Sequence, residues 1–183
     1  MTSKKLYGLN KYFLDLTKLF NIGKFPKILM LSGKKGQGKC TLTHHLMAYI
    51  FDKSNYELNT LSINDINKLS SGIKENTNPS IIYLNCNNNN VKIEDIRNLR
   101  FNLEKSSING LNRFIIFDDI EFLNVNCTNA LLKTIEEPSL TNYFILINNQ
   151  SKNILDTLKS RSIEVMFFLN NKEKLDIIKN LIS

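Results

Sequence analysis

The sequence predicts a three-layer α/β domain in which a five-stranded parallel sheet lies between helices. Four short segments are unbroken apolar runs, which are typical of strands buried on both faces, and a fifth is interrupted only by Glu164. Helical segments, whose apolar residues recur three or four positions apart, alternate with these runs along the chain. This alternation favours a parallel sheet covered by helices. Ligands of such sheets bind at the carboxyl ends of the strands, so the residues that follow each strand are candidates for function.

The first elements lead from a helix into a glycine-rich loop. Helical spacing of apolar residues predicts a helix over Leu9–Phe20, and Gly23 lies in the segment that ends it. The apolar run Ile28–Leu31 predicts the first strand. The loop Ser32–Gly38 follows, and apolar residues four positions apart predict a second helix over Lys39–Phe51.

The middle of the chain contains its least regular stretch. Ser54–Ser80 is polar and poorly periodic, which indicates loops with a short helix near Ile63–Leu69. The apolar run Ile81–Leu84 predicts the second strand, and the asparagine-rich segment Asn85–Asn90 predicts a loop. The next segment, Ile93–Leu103, is amphipathic at helical spacing and predicts another helix.

The second half continues the alternation of strand and helix. An Asn-Gly pair at positions 109–110 signals a turn. The apolar runs Phe114–Phe117 and Tyr143–Ile147 predict the third and fourth strands. Between them we expect a helix over Asn126–Glu137, because Pro138 would end it.

The last elements complete the predicted domain. They are a short helix at Ile154–Lys159, a fifth strand at Ile163–Phe168 and a final helix at Lys172–Ile182. We therefore expect one α/β domain over residues 1–168, followed at 169–183 by a C-terminal helix or the start of a further region. The final helix begins so close to the end of the sequence that no further folded domain is expected.

Composition and charge exclude several classes of protein. The hydrophobic fraction of 42% and the charged fraction of 22% are those of a globular domain, not of a disordered or collagen-like chain. No apolar run reaches the roughly 18 residues that a membrane helix needs. The N-terminus lacks the features of a signal peptide, so we expect a cytoplasmic protein without membrane contact. The net charge of +7 permits contact with nucleic acid, although the basic residues are scattered.

Cysteine and histidine positions argue against a metal site. The cysteines at positions 40, 86 and 127 form no CxxC pair, so we expect reduced thiols and no zinc. His44 and His45 are adjacent on a predicted helix and point apart, so they cannot form a close two-histidine metal face. We expect both histidines on the surface of that helix.

The loop after the first strand carries a phosphate-binding motif. Residues 33–41 match G-x-x-x-x-G-K between a predicted strand and a predicted helix, which is the context that the motif requires. Gly33, Gly36 and Gly38 would let backbone N–H groups converge on phosphate oxygens, and Lys39 would reach the β and γ phosphates of ATP. The alternative is a glycine turn that binds nothing.

The end of the motif departs from the usual pattern. A Ser or Thr normally follows the lysine and binds Mg²⁺ through its hydroxyl, but Cys40 stands there in this sequence. A thiol is a poor ligand for a hard cation. Thr41 lies one residue too late on the helix to point the same way. The sequence therefore predicts a phosphate-binding loop, functional or relict, and leaves Mg²⁺-nucleotide binding open.

The third strand ends in two acidic residues. In P-loop proteins the aspartate at this point, here Asp118, meets Mg²⁺ as the Walker B residue. Many ATPases of this class have a glutamate next, which activates water, whereas this chain has the shorter Asp119. A base must come within hydrogen-bond reach of the proton it takes, so the shorter side chain predicts slow hydrolysis. The alternative is that these aspartates only cap a helix.

A longer match follows the Walker B position. The segment Asn129–Pro138 resembles the corresponding stretch in clamp-loader subunits of bacterial DNA polymerase III. Val91–Leu99 is similar to the segment before Walker B in the delta-prime type of subunit. Ile145–Asn149 corresponds to the sensor 1 strand of that family, and Asn148 to its polar, nucleotide-sensing residue. The resemblance covers about 6–168 and implies an AAA+ fold.

The resemblance gives one arginine a specific role. Ser160–Ser162 stands where the family carries Ser-Arg-Cys, whose arginine enters the ATP site of the neighbouring subunit. The resemblance therefore implies that Arg161 is an arginine finger acting in trans, and a guanidinium fork suits phosphate oxygens. The alternative is a solvated arginine at the end of a helix.

The resemblance also implies a type of subunit and its partners. The tau/gamma motor subunits usually carry a four-cysteine zinc module between the P-loop and Walker B, whereas Cys86 is the only cysteine in that interval here. Together with Cys40, this favours the delta-prime type, with little or no ATPase activity of its own. The implied partners are the tau/gamma and delta subunits, the sliding clamp and primed DNA. Family members also continue into a helical collar domain, which we do not expect within this sequence.

Three rival functions stay open at the level of sequence. An autonomous ATPase would show turnover that depends on Lys39. A nucleic-acid-binding module would use the net charge of +7 and show salt-sensitive DNA affinity. A motor-type clamp-loader subunit would hydrolyse Mg-ATP efficiently.

Overall fold

A computed structural model describes residues 3–65, 78–87, 90–104, 112–136, 139–169, 174–175 and 177–179. The chain divides into two compact units. The first unit comprises residues 1–25, 36–75 and 167–183, and the second comprises residues 26–35 and 76–166.

The second unit is built on a five-stranded sheet in which all paired strands are parallel. Its spatial order is β4-β5-β6-β1-β7, and because the paired strands are parallel, crossover connections join them. The strands of the chain are β1 (Ile28–Ser32), β2 (Tyr56–Glu57), β3 (Ser62–Ile63), β4 (Ile81–Asn85), β5 (Arg113–Asp118), β6 (Asn142–Asn148) and β7 (Ile163–Met166).

The register of the sheet brings polar strand ends together. Ser32 of β1 is paired with Asn148 of β6, and Asn85 of β4 is paired with Asp118 of β5. Because the strands are parallel, these carboxyl ends lie at one edge of the sheet, where ligands of such sheets bind. The predicted parallel sheet of five strands is therefore confirmed.

Helices cover one face of this sheet within the second unit. Ile96, Leu131 and Leu158 come from three different helices and form one core with Phe117 and Phe144 of the strands. Among the described residues, the α-helices with defined bounds are α1 (Asn10–Asn21), α2 (Lys39–Phe51), α3 (Ile93–Glu104), α4 (Val125–Ile135) and α5 (Asp156–Lys159).

The opposite face of the sheet is buried as well. Leu29, Leu31, Ile116 and Ile147 alternate with the core residues of the first face and are at most 1% exposed. Burial on both faces explains why these strands are unbroken apolar runs rather than alternating ones. The prediction of burial on both faces is thus confirmed for β1, β5 and β6, whereas β4 is partly buried and β7 is largely exposed.

The start of α4 is fixed by a side-chain cap. Asn124 has an extended backbone, and its Oδ1 accepts a hydrogen bond from the backbone N–H of Cys127 at 2.8 Å. This bond satisfies one of the donors that a helix leaves unpaired at its first turn. The helix therefore begins one residue before the predicted start, at Val125.

Aromatic side chains fill the core of the first unit. Helices α1 and α2 pack together. The Phe13 ring of α1 stacks on Tyr56, with ring centroids 5.2 Å apart, and meets Tyr49 of α2 edge to face. The short antiparallel pair of β2 and β3 carries Tyr56 into this core.

The two histidines of α2 correct one expectation. His44 and His45 are 4% and 0% exposed, so the prediction that they lie on the helix surface is wrong. Nearly every residue of α2 from Leu42 to Tyr49 is buried, and a helix buried all round shows no polar face in its sequence. Position along the helix therefore could not indicate their burial.

The irregular middle stretch also differs from its prediction. Ile63 lies in β3, paired with Tyr56, and not at the start of a helix. The remainder of the predicted helix, after residue 65, lies outside the described residues, as do the turn at 109–110 and Pro138. The five described residues within the predicted helix Lys172–Ile182 are helical.

In the described part of the chain, no helix combines the length and apolar character needed to cross a membrane.

Candidate functional site

The glycine-rich loop has a backbone shape that only glycine adopts readily. Gly36 and Gly38 have φ angles of +85° and +82°, in the left-handed region. A Cβ atom on Gly38 would lie 2.8 Å from Cδ1 of Leu9, closer than carbon atoms approach. The loop leads directly into α2, whose first residue is Lys39. This is the strand–loop–helix arrangement that the phosphate-binding motif requires.

The residues at the start of α2 are positioned to meet an anion. Gly38 brings no side chain to cap the helix, and the N-terminus of a helix favours negative charge. Lys39 is 2% exposed. Cys40 is half-buried, with its Sγ 4.0 Å from Nε2 of His44, one helical turn further on.

A cavity of about 330 Å³ lies beside this loop within the first unit. Gln37, Gly38 and Thr41 contribute to its wall, and apolar side chains that include Tyr7 and Leu169 form the rest. Its volume lies in the range of small-molecule sites. The Oε1 atom of Gln37 is buried there without a hydrogen-bond partner. An apolar wall beside a phosphate-binding loop fits a nucleotide.

The same residues do not fit Mg²⁺. Cys40 presents sulfur at the position where the motif supplies a hydroxyl oxygen, and hard cations prefer oxygen ligands. Within the described ranges, no three His, Cys, Asp or Glu side chains are grouped closely enough to hold a metal ion. The prediction that Asp118 binds Mg²⁺ stays a prediction.

At the end of β5, the Walker B carboxylate already accepts hydrogen bonds from the protein. The Tyr83 hydroxyl, on the neighbouring strand β4, donates to Oδ2 of Asp118 at 2.6 Å. The backbone N–H of Asp119 donates to Oδ1 at 3.0 Å. A cation that approached either oxygen would have to compete with these donors.

Asp119 is held by the loop that follows β6. It is 7% exposed, has a left-handed backbone with φ of +57°, and its Oδ1 accepts a hydrogen bond of 2.5 Å from Nδ2 of Asn149. Glu121, also buried, accepts N–H groups of Asn149 at 3.1 Å and of Ser151 at 3.3 Å. These bonds hold the loop after β6 against the predicted water-activating carboxylate and engage one of its two oxygens.

The carboxylates of this cluster also affect a nearby thiol. Burial raises the pKa of Cys86, and the negative charges of Asp118, Asp119 and Glu121 raise it further. All three cysteines of the chain are outside disulfides. The thiol at position 86 is therefore protonated at neutral pH, as expected for a buried structural cysteine.

The predicted sensor residue, Asn148, is used within the fold. Its side chain is 4% exposed, donates from Nδ2 to the Ser32 hydroxyl at 3.2 Å and accepts the Gln150 N–H at 2.9 Å. The next residue, Asn149, is the one whose side chain reaches a Walker B carboxylate. The sequence shows two consecutive asparagines after β6, but it does not show which of them faces Asp119.

Arg161 lies on the short connection between α5 and β7, with 40% of its side chain exposed. One terminal nitrogen donates to Oε1 of Glu136 at 3.0 Å, and the other donates to the backbone oxygen of Thr157 at 3.1 Å. The guanidinium is thus both accessible to a partner and held in one orientation. The sequence predicted the exposed arginine but not its contact with Glu136, which is 25 residues away.

A basic groove of about 340 Å³ runs between α3 and α4. Arg97, Arg100 and Lys133 contribute positive charge to its lining, and Asn126 and Asn129 contribute amide groups. These basic residues are scattered in the sequence, because the two helices that bring them together are separated by 20 residues. The groove concentrates part of the net charge of +7 on one face of the second unit.

Comparison with families of known proteins gives one match over most of the chain. The family model described as DNA polymerase III, delta subunit, matches residues 9–170. The chain is 32% identical over 74 residues to DNA polymerase III subunit delta' of Pseudomonas aeruginosa, covering 40% of this chain and 23% of that protein. It is 28% identical over 181 residues to DNA polymerase III subunit gamma of Buchnera aphidicola subsp. Schizaphis graminum, covering 97% of this chain and 47% of that protein. The delta' subunit of the same organism is 32% identical over 110 residues, covering 55% and 34%. The chain thus spans about half or less of each of these relatives.

Solved structures show the same fold at low sequence identity. A gamma subunit-related protein of Thermotoga maritima has a TM-score of 0.62 at 20% identity, covering 90% of this chain and 49% of that one. The RuvB Holliday junction branch migration motor of the same organism has a TM-score of 0.59 at 24% identity, covering 98% and 54%. DnaA of Aquifex aeolicus, bound to AMPPCP, has a TM-score of 0.59 at 18% identity, covering 96% and 51%. These likenesses show an AAA+ P-loop fold.

Proposed function

The chain belongs to the clamp-loader family of DNA polymerase III, and from that premise we propose that it is a delta-prime-type subunit. In this proposal it helps to load the sliding clamp onto primed DNA during replication in the cytoplasm. Its partners are the tau/gamma and delta subunits. The observation that carries the proposal is the exposed, oriented guanidinium of Arg161, in a chain whose Walker B residues Asp118 and Asp119 accept hydrogen bonds within the fold.

The proposed contribution of Arg161 is electrostatic. When a neighbouring subunit cleaves ATP, charge develops on the oxygens of the transferring phosphoryl group. A guanidinium placed there stabilises that charge without needing to reorient. Arg161 suits this task because its side chain faces solvent while two of its N–H groups fix its plane. An arginine in such a position accelerates phosphoryl transfer by about 10³–10⁵.

The chain's own nucleotide site has a supporting role in this proposal. The loop from Gly36 to Lys39 would hold phosphates and the adjacent cavity would hold a base. Hydrolysis at this site would be slow, because Asn149 engages Asp119 and Cys40 replaces the hydroxyl ligand. The nucleotide would then stabilise the first unit rather than supply energy.

The basic groove supports contact with DNA. Arg97 and Arg100 on α3 and Lys133 on α4 present cations toward one space, and cations placed in this way bind phosphate backbones irrespective of base sequence. A contact with the backbone alone suits a loader, which must accept any primed site. Charge reversal at Arg97 or Lys133 is expected to weaken DNA binding and reduce its salt dependence.

Clamp loading by a reconstituted complex tests the proposal. The full chain is assembled with the motor and delta subunits of its own organism, and loading of the clamp onto primed DNA is measured. Arg161→Ala is expected to reduce the loading rate at least tenfold while the complex still assembles. Lys159→Ala, which removes an exposed cation from the last residue of α5, is the matched control and is expected to leave the rate near wild type. Equal rates for the wild type and Arg161→Ala would refute the proposal.

A motor-type subunit is the second candidate. It is supported by the nucleotide-sized cavity and by the glycine-rich loop. This candidate predicts Mg²⁺-dependent binding of fluorescent ATP by the purified chain and turnover that Lys39→Ala abolishes. The delta-prime proposal predicts negligible turnover in the same assay.

A further inference from the structure

Two acceptors on separate helical segments hold the Arg161 guanidinium. Oε1 of Glu136, at the end of α4, accepts one N–H at 3.0 Å, and the backbone oxygen of Thr157, in α5, accepts another at 3.1 Å. A guanidinium carries five N–H groups in a fixed plane. These two bonds use one N–H on each terminal nitrogen, so three remain to bind an incoming anion.

The two acceptors are themselves held in place by the core. Ile135 and Leu158, the sequence neighbours of Glu136 and Thr157, are each 1% exposed and belong to the same apolar cluster. Helices α4 and α5 are in contact. The backbone that carries both acceptors is therefore fixed, and the two hydrogen bonds restrict a side chain that would otherwise sample many rotamers in solvent.

The exposure of the ion pair shows what it contributes. The side chains of Arg161 and Glu136 are 40% and 49% exposed, and ion pairs that exposed add little to the stability of a fold. The pair does, however, restrict a long cationic side chain to one orientation. Groups that are already oriented for a charged transition state lose less freedom when it forms.

From this geometry we infer that Glu136 is a positioning residue for Arg161: with the Thr157 carbonyl, it aims the remaining N–H groups at phosphate oxygens supplied by a neighbouring subunit. The inference rests on the proposed arginine finger. Glu136 does not touch the nucleotide in this account. It acts only through the orientation of the guanidinium.

The test measures ATP turnover by the reconstituted loader, isolated by gel filtration, with variants of this chain. Glu136→Ala is expected to lower kcat about three- to tenfold and to leave KM for ATP unchanged, because orientation matters only as the phosphoryl group transfers. Glu136→Gln keeps an oxygen acceptor at the same reach and is expected to restore more than half of the wild-type rate. Glu164→Ala, which removes an exposed carboxylate from β7, is the matched control and is expected to have no effect.

A double-variant cycle separates positioning from a structural role. In an Arg161→Ala background, Glu136→Ala is expected to cause no further loss, because the residue through which it acts is gone. A further loss there, an unchanged rate for Glu136→Ala alone, or a faster rate would each overturn the inference. If Arg161→Ala itself leaves turnover unchanged, the proposed function fails and the inference fails with it. If Arg161→Ala lowers turnover and Glu136→Ala does not, only the inference fails.

Discussion

We expect acidification to destabilise the chain through one buried histidine. The His45 side chain is 0% exposed. Its Nε2 donates to the backbone oxygen of Ser3 at 3.1 Å, because a carbonyl can only accept, and its Nδ1 therefore accepts the Tyr56 hydroxyl at 3.0 Å. Protonation at Nδ1 would remove that acceptor and place a charge in the core. Burial accordingly lowers the pKa of His45 from 6.5 to about 4, although the hydrogen bond to Ser3 acts in the opposite direction.

The size of the effect follows from the two pKa values. As the pH falls below 6.5 the unfolded chain binds a proton at this histidine, whereas the folded chain binds it only near pH 4. The unfolded state therefore binds more protons between these values, and stability falls as the pH falls. A shift of this size lowers the free energy of unfolding by about 2 kcal/mol between pH 7 and pH 5. Above pH 6.5 the effect is essentially absent.

Urea unfolding followed by far-UV circular dichroism at pH 7 and pH 5 measures this difference. The chain contains two histidines, and histidine is the side chain whose ordinary pKa lies in this range. His45→Gln is expected to abolish most of the loss of stability on acidification, whatever it does to stability at pH 7. His44→Gln is the matched control and is expected to retain the part of the loss that His45 causes. A His45→Gln chain that lost as much stability as the wild type between the two pH values would refute the reasoning.

Three further substitutions test the fold and the loop. Leu131→Ala empties a fully buried position of α4 and is expected to lower the free energy of unfolding by about 2–5 kcal/mol in urea titrations, whereas an unchanged value would contradict the described core. Asn124→Ala removes the cap of α4 and is expected to cost about 1 kcal/mol by the same measurement; no loss would mean that the cap is not formed in solution. Gly38→Ala, which forces a Cβ against Leu9, is expected to abolish binding of fluorescent ATP. Gly23→Ala, at a similar φ but with no atom within 4 Å, is expected to preserve it, and equal affinities would contradict the described loop.

The sheet was predictable because its physical cause is local. A strand buried on both faces must be apolar at every position, and β1, β5 and β6 show such runs directly in the sequence. Their exact ends were not predictable, because pairing decides them. Ser32 and Asn148 extend β1 and β6 beyond their apolar runs because they are partners across the sheet.

Features without a local pattern were missed. Helix α2 is buried on most sides, so its histidines stand among apolar neighbours without a polar face to mark orientation. The ladder of β2 and β3 is two residues long on each strand, too short for a period of two to appear. Ile63 was therefore assigned to a helix although it pairs with Tyr56.

The candidate site also has a part that the sequence predicts and a part that it does not. The glycine-rich loop and the acidic end of β5 are contiguous motifs, so the sequence located both. The partners of their side chains are distant in sequence. Tyr83 lies 35 residues before Asp118, Asn149 lies 30 residues after Asp119, and only the folded chain brings them into hydrogen-bond contact. These partners are the evidence that the Walker B carboxylates are engaged.

The central claim is that this chain promotes hydrolysis of ATP bound by a neighbouring subunit and does not hydrolyse ATP at its own site. The most direct test compares Arg161→Ala with Lys39→Ala in the same reconstituted loader, with ATP turnover stimulated by the clamp and primed DNA as the readout. The account predicts that Arg161→Ala lowers turnover at least tenfold and that Lys39→Ala retains most of it. Loss of turnover with Lys39→Ala, together with wild-type turnover for Arg161→Ala, would contradict the account and identify a motor subunit.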